Sequence, residues 1–315
     1  MQDNGRSVSI PQVAILLCTK NGQRFLEAQL DSINKQTYPY WKLWVSDDGS
    51  QDDTIAILED FQTLCGNDRV LICDGPRKGF AANFLSLTCR NDIKAEFYAY
   101  ADQDDVWEAE KLAGALQWLE KIPCNLPGLY CSRTRLIDEK GNDIGLSPNF
   151  RKPPCFANAL VQSIAGGNTM VFNNAARLLL REAGPNLDIV SHDWWTYLLV
   201  SGCGGKVFFD PRPTICYRQH SGNFVGSNRK LTGRLARMSM LLGGGFRDWN
   251  TRNLTSLCGF ASRLTRENRH IFEQFMISRD QPFFSRLLKF RSSGVCRQSV
   301  LGNLVLFAAA AFKKL

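Results

Sequence analysis

The sequence predicts an α/β fold, a mixed sheet flanked by helices, followed by a basic helical extension. Three observations carry this. Short apolar runs alternate with amphipathic stretches through about residue 225, each run ends in a polar, glycine-bearing loop, and beyond residue 226 the alternation stops and cations accumulate. At 315 residues, 44% hydrophobic and 22% charged, the chain can bury the core of one large α/β domain and carry an appendage. The 11 cysteines are scattered, several of them inside apolar runs (Cys18, Cys73, Cys89, Cys131, Cys216), which suits buried reduced thiols better than a disulfide framework. No CxxC pair occurs, which removes the usual zinc-ribbon and thioredoxin readings. Met1 to Gly5 is polar and lacks the layout of a signal peptide, so a cytoplasmic protein is expected.

Gln12 to Cys18 is a continuous apolar run bounded by Pro11 and Thr19-Lys20-Asn21-Gly22, the pattern of a central parallel strand ending in a turn. Gln23 to Lys35 places Phe25, Leu26, Leu30 and Ile33 on one helical face, and Tyr38-Pro39 stops it. Trp41 to Val45 reads as the second strand of a βαβ unit whose strands deliver polar residues at their carboxyl ends, the edge where ligands bind. It exits into Ser46-Asp47-Asp48-Gly49-Ser50, ahead of a helix carrying Ile55, Leu58 and Phe61. Asp47 or Asp48 can accept from a base or ribose, or cap that helix. A third strand, Arg69 to Cys73, leads to Arg77-Lys78-Gly79 and a helix start, where cations and free amides suit phosphate.

A buried run then ends in Ala101-Asp102-Gln103-Asp104-Asp105-Val106-Trp107. Three carboxylates at a strand exit suit a hard divalent ion such as Mg²⁺ or Mn²⁺; a solvated turn or a helix N-cap is the competing reading.

Taken together, strand-Cys-Thr-Lys-Asn-Gly, strand-Asp-Asp-Gly-Ser-x-Asp-Asp-Thr, Arg-Lys-Gly-x-x-x-Asn-Phe and strand-Asp-Gln-Asp-Asp-x-Trp resemble the inverting glycosyltransferases of family 2, which have the GT-A fold. The similarity runs through roughly the first 225 residues, and Asp-Gln-Asp-Asp-Val-Trp with a later Tyr-Arg-Gln-His looks most like the rhamnosyltransferase-type enzymes of bacterial polysaccharide assembly. The resemblance implies a nucleotide-diphosphate-sugar donor, a glycan or lipid-linked acceptor, and a divalent cation, Mn²⁺ or Mg²⁺, bridging the donor phosphates. It implies that Thr19 and Asn21 flank the nucleotide, that Asp47 or Asp48 contacts base or ribose, and that Lys78 lies near the donor. Asp104 is then expected on the metal and Asp102 on the ribose or a metal-bound water. Asp105 is expected to cap a helix running from Trp107 through Leu119.

In the second half, Pro123 to Gly128 breaks the chain before a short strand, Leu129 to Ser132. Asp138 to Asn142 reads as a hairpin turn, and Pro148 to Pro154 as a loop over the site. By resemblance Gly166, Gly167 and Asn168 lie beside donor sugar and acceptor; a mere turn is the alternative. Ser191-His192-Asp193-Trp194-Trp195 opens a helix and matches the family's catalytic acid position. Direct displacement needs a base for the acceptor hydroxyl, and the helix N-terminus would keep Asp193 ionised for that role. Trp194 and Trp195 offer a sugar an apolar face, or they are core. In Tyr217-Arg218-Gln219-His220, His220 is a third metal ligand or a pyrophosphate contact, and Arg218 a phosphate clamp.

The positive net charge of +8 comes wholly from the tail, where Leu231 to Leu242 and Asn253 to Met276 read as basic amphipathic helices and Val300 to Phe312 as an apolar segment too short to span a bilayer. That tail suits an anionic membrane surface, placing a cytoplasmic protein at the inner face, or it docks on the catalytic domain. Nucleic acid is not expected, since no zinc motif, RNA-binding aromatic signature or recognition-helix pattern accompanies the charge. The chain thus divides at 225/226 into a catalytic domain and an extension. A nucleotidyltransferase and a catalytically inactive sugar-nucleotide-binding protein are the alternatives to transfer, but only transfer needs Asp193.

Overall fold

The computed structural model describes residues 10–220 and 245–315. The predicted first strand is β1 (Val13–Thr19), every residue of it buried. Its side chains alternate between two cores: Val13, Ile15 and Leu17 face one, Ala14, Leu16 and Cys18 the other, as a strand covered by helices on both faces must. The helix α1 (Leu26–Asn34) returns the chain to β2 (Trp41–Asp47), α2 (Thr54–Cys65) to β3 (Val70–Asp74), and α3 (Phe80–Cys89) to β4 (Phe97–Ala101). These four strands are parallel, in the order β3-β2-β1-β4.

Beyond β4 the sheet becomes mixed. The remaining strands are β5 (Val106–Trp107), β6 (Gly128–Ile137), β7 (Asp143–Leu146), β8 (Val171–Asn173) and β9 (Lys206–Arg218). Among the described residues, the order continues β4-β8-β6-β9-β5, with β7 beside β6. The helices of this half are α4 (Lys111–Leu119), the single turn α5 (Phe156–Ala159), α6 (Asn174–Ala183) and α7 (His192–Gly202). Two local expectations fail here. Val106 and Trp107 do not open a helix but pair with Cys216 and Ile215 of β9. In consequence α4 begins only at Lys111 after Glu110, and Asp105 does not cap it. The predicted strand Leu129 to Ser132 is also longer, because β6 continues along β9 as far as Ile137.

Four further helices are described in the tail: α8 (Gly245–Cys258), α9 (Arg266–Asp280), α10 (Phe283–Ser292) and α11 (Val300–Ala311). The single helix expected over 253–276 is divided between α8 and α9, whereas the break at Pro282 and the segment from Val300 fall where expected. Phe246, Leu254, Phe275, Leu306 and Ala309 belong to the same core as Leu16, Phe84 and Trp195, so these helices complete one face of the sheet. The predicted boundary at 225/226, the helix over 231–242 and the cations Arg229 to Arg237 lie outside the described residues.

Candidate active site

Parallel pairing brings the carboxyl ends of β1, β2 and β4 to one edge of the sheet, with Thr19 opposite Asp47 and Leu17 opposite Ala101. Thr19 donates its hydroxyl to Asp47 Oδ2 at 2.8 Å, while Asp47 Oδ1 accepts the N–H groups of Gly49 (3.0 Å) and Ser50 (2.7 Å). Asp48 accepts from Arg77 N–H at 2.6 Å and Gly79 N–H at 2.8 Å, one on each oxygen. Both acids are therefore nearly buried and shape loops: Asp47 folds its own turn, and Asp48 holds the Arg77-Lys78-Gly79 loop against β2. Asn21 completes the floor. It sits at φ +49°, accepts Gln51 N–H at 2.8 Å and donates its own N–H to Ser50 Oγ at 2.8 Å. Lys78 is exposed at the rim.

The acidic loop after β4 is tied to the loop after β1 by Gln103. Its Oε1 accepts Lys20 N–H at 2.8 Å and its Nε2 donates to Lys20 C=O at 3.0 Å. The carboxamide lies so close to Gly22 that any Cβ there would overlap it. Sequence reasoning treated Gln103 as the spacer of Asp-x-Asp; its signal was the glycine facing it.

Asp102, Asp104 and Asp105 then diverge. Asp104 Oδ2 meets His220 Nε2 at 2.6 Å, and the His220 ring lies 5.3 Å from that of Phe25. Asp102 is pushed up to about 8 by burial first, then by the negative charges of Asp104 and Asp193, with Lys111 pulling the other way. Asp105 is wholly buried. It accepts from Asn168 Nδ2 at 2.5 Å and Arg218 N–H at 3.2 Å, and burial holds its carboxyl well above the usual range. The wholly buried Lys111 donates to Asn168 C=O at 2.5 Å and lies 4.3 Å above the Trp107 ring; burial depresses it to about 7 against the raising effect of Asp105 and Asp102. Nothing in the sequence singles out Lys111, one cation inside the stretch read as a helix from Trp107.

The opposite wall is the start of α7. Asp193 Oδ1 accepts Trp194 N–H at 2.6 Å, and the carboxylate also receives the Ser191 hydroxyl and the Gly167 N–H. Burial raises its carboxyl while these donors lower it, so the helix-end amides act against desolvation rather than alone. Gly167 is there for shape as well. The His192 ring packs directly against its Cα, where a Cβ would collide with Nε2, and stacks on Phe84 at 3.8 Å. His192 is thus an aromatic wedge of the core; burial lowers it to about 3.

Three expected contacts take other forms. Trp194 is turned into the core, its indole N–H donating to Ala159 C=O at 2.6 Å, so it presents no face to the carboxylates. Arg218 is buried across Phe25 and donates to the carbonyls of Asp104 (3.1 Å) and Glu139 (3.2 Å), bracing the acidic loop instead of standing free as a clamp. The loop after Pro148 is tied to the tail through Lys152 and Gln298.

A divalent ion fits this donor set. Asp104 and His220 touch, Asp102 adjoins them, and the repulsion between Asp104 and Asp102 that helps to raise Asp102 is what a bound cation would relieve. Among the described residues no three ligating side chains converge, so a bound ion would draw its other ligands from elsewhere, as Mg²⁺ and Mn²⁺ do from phosphate and water.

Comparison with known proteins agrees with this geometry. Residues 14–182 match the model of glycosyl transferase family 2, more than half of the chain. The chain is 29% identical over 238 residues, 71% of its own length and 78% of the relative's, to the dTDP-rhamnosyl transferase RfbG of Shigella flexneri. It is 33% identical over 101 residues, 32% of its length and 38% of the relative's, to the UDP-Glc:alpha-D-GlcNAc-diphosphoundecaprenol beta-1,3-glucosyltransferase WfgD of Escherichia coli. Among solved structures, S. aureus TarS in complex with UDP-GlcNAc superposes with TM-score 0.51 at 11% identity, over 90% of each chain. The mannosyltransferase PcManGT of Pyrobaculum calidifontis, in complex with GDP-Man and Mn²⁺, gives TM-score 0.51 at 16% identity over 98% of this chain and 88% of its own. The sheet order, the acidic exit of β4 and the extent of the family match converge: this chain has the GT-A fold and belongs to glycosyl transferase family 2, as a rhamnosyltransferase-like glycosyltransferase.

Proposed function

We propose that the chain transfers a sugar, rhamnose by its relation to RfbG, from a nucleotide-diphosphate donor to a hydroxyl of a glycan or lipid-linked acceptor, with inversion at the anomeric carbon. The observation that carries this reading is the approach of two walls: Asp193 on α7 lies near enough to Asp102 at the end of β4 to raise its carboxyl. A base on one side and an anion-rich strand exit on the other is what a single in-line displacement requires.

In this reading the loops shaped by Asn21, Asp47 and Asp48 cradle the nucleoside, with Lys78 at the rim beside the phosphates. Asp104 and His220 would hold a Mn²⁺ or Mg²⁺ ion, with Asp102 beside them, and such an ion would supply positive charge against the diphosphate leaving group. Asp193 takes the proton of the acceptor hydroxyl as that oxygen attacks. Its raised carboxyl makes it a stronger base at neutral pH, and the Gly167 N–H and Ser191 hydroxyl fix its orientation. Asn168 and Lys111 hold the Gly167 segment and Asp105 together, so that base and acids keep their spacing.

No helix among the described residues is long and apolar enough to cross a membrane. The tail nonetheless exposes Phe284 (79%), Leu288 (71%), Leu301 (56%) and Leu304 (64%), and no acidic residue follows Asp280 while Arg286, Lys289, Arg291, Arg297, Lys313 and Lys314 do. This favours peripheral attachment of a cytoplasmic enzyme to an anionic bilayer, near a lipid-linked acceptor.

The test is a screen of dTDP-, UDP- and GDP-sugars with Mn²⁺ or Mg²⁺, reading hydrolysis and transfer, with the product's anomeric configuration assigned by NMR. Transfer with inversion supports the assignment. Retention, or indifference to both metal and donor, refutes it.

A further inference from the structure

The segment Cys296–Gln298, between α10 and α11, runs beside residues 152–162 at the base of the catalytic half. Lys152 N–H donates to Gln298 Oε1 and Gln298 Nε2 returns to Lys152 C=O, each at 3.1 Å. Cys296 N–H donates to Ala157 C=O at 3.4 Å, Asn158 Nδ2 to Cys296 C=O at 2.9 Å, and the Arg297 guanidinium to Val161 C=O at 2.9 Å. This register, with Cys296 bonded to Ala157 and Asn158 just beyond Cys155, the residue before α5, sets the two cysteine side chains side by side. They lie far apart in sequence, so only the docked tail brings them together.

We propose that Cys155 and Cys296 form a redox-responsive dithiol that closes to a disulfide with a low-molecular-weight disulfide as oxidant, stapling the tail helices to the segment beneath Asp193. Cys155 is exposed and Cys296 half-buried, which gives an attacking sulfur open to a small reagent and a resolving sulfur beside it. Cys155 is held low, near 6, because the Cys296 thiol donates to it, with the Asn158 and Ala157 amides adding to the effect. The Cys155 thiolate attacks one sulfur of the oxidant and expels a thiolate. Cys296, losing its proton, then attacks the Cys155 sulfur and expels the second thiolate. The two protein sulfurs lose two electrons, and the reagent leaves as two thiols. The staple bears on the site because Cys155 N–H and C=O both bond the Tyr197 hydroxyl and Ala159 C=O holds Trp194, two residues of the helix that carries Asp193.

The test uses the full-length protein in glutathione buffers of graded ratio, quenched by alkylation and mapped by peptide mass spectrometry. The expected result is a 155–296 cross-linked peptide that appears as oxidised glutathione rises and disappears with dithiothreitol. Exposed Cys124 and Cys258 should stay reduced at ratios that close the pair. Cys296→Ser should stop the reaction at a glutathione adduct on Cys155, and Cys155→Ser should leave Cys296 unmodified. In the oxidised protein, amide exchange in α10 and α11 should slow several-fold. A stable adduct on Cys155 in the unsubstituted protein, cross-links at other cysteines or between molecules at the same ratios, or unchanged exchange after closure would each overturn the proposal.

Discussion

Replacing Asp193 by asparagine removes the only acceptor that the proposed mechanism gives to the substrate's proton, and the structure allows the size of the effect to be worked out. The amide keeps one oxygen, enough to accept Trp194 N–H, but its nitrogen cannot accept the Gly167 N–H or the Ser191 hydroxyl as the carboxylate does. Those two losses together cost about 2–3 kcal/mol of stability, at roughly 1 kcal/mol or somewhat more per hydrogen bond, so the fold should survive. Donor binding should not weaken either, because Asp193 acts on Asp102 as a repelling charge, and removing it lowers the negative potential facing an anionic donor. Loss of the base, in contrast, should slow transfer by ~10²–10⁴, equivalent to about 3–5 kcal/mol of barrier. The assay pairs single-turnover transfer with calorimetric binding of the nucleotide diphosphate in Mn²⁺. A rate within about tenfold of the unsubstituted enzyme, short of the general-base scale, or parallel loss of donor affinity, refutes the role.

Asp104→Ala should behave in the opposite way, abolishing Mn²⁺-dependent nucleotide binding before any chemistry; unchanged affinity by calorimetry would take Asp104 off the metal. Lys111→Met should destabilise the protein by ~3–5 kcal/mol in urea unfolding, because Asp105 and Asn168 would lose their buried cation, and a shift under ~1 kcal/mol would show that the ammonium is not held there as a charge. His192 contributes a pH dependence whose sign follows from its depressed value: the unfolded chain takes up a proton below pH ~6.5, whereas the folded ring resists down to about 3. Its share of stability is therefore whole above that range and lost as pH falls through it, at about 1.4 kcal/mol per unit, and His192→Asn should remove one proton's worth of slope between pH 6 and 5. Changing Leu288 and Leu301 together to serine should reduce co-sedimentation with phosphatidylserine vesicles at low salt while leaving transfer to a soluble acceptor intact; equal sedimentation would mean that the exposed face does not touch lipid.

The parallel half of the fold was legible because strand and loop signals there are local. β1 is an apolar run between Pro11 and a glycine turn, and no distant residue is needed to recognise it. The start of the helix that carries Asp193 was legible for the same reason, since a largely apolar run follows it. What could not be read depends on partners far away in sequence. Val106 and Trp107 become strand only because β9 arrives beside them more than a hundred residues later. Asp105 looks like a cap until Asn168 and Arg218 are placed around it. Trp194 sits on a helix apolar on every side, so its sequence gives no hint of which residues face the core and which the substrate. Arg218 carries the pattern of a phosphate ligand, yet the turn at Glu139 and the carbonyl of Asp104 reach it first.

The pair of hydrogen bonds between Gln103 and Lys20 has a consequence for how the enzyme meets its substrates. A side-chain amide that both donates to and accepts from a neighbouring backbone imitates one more rung of the ladder between β1 and β4, beyond the last residue of either strand. The sheet is in effect prolonged into its own active-site edge. Because that rung closes over Gly22, where a Cβ would overlap the Gln103 carboxamide, the loops after β1 and β4 are tied to each other. The entropy of ordering them is lost when the chain folds and not when the donor arrives, so more of each contact made in the pocket remains available as affinity.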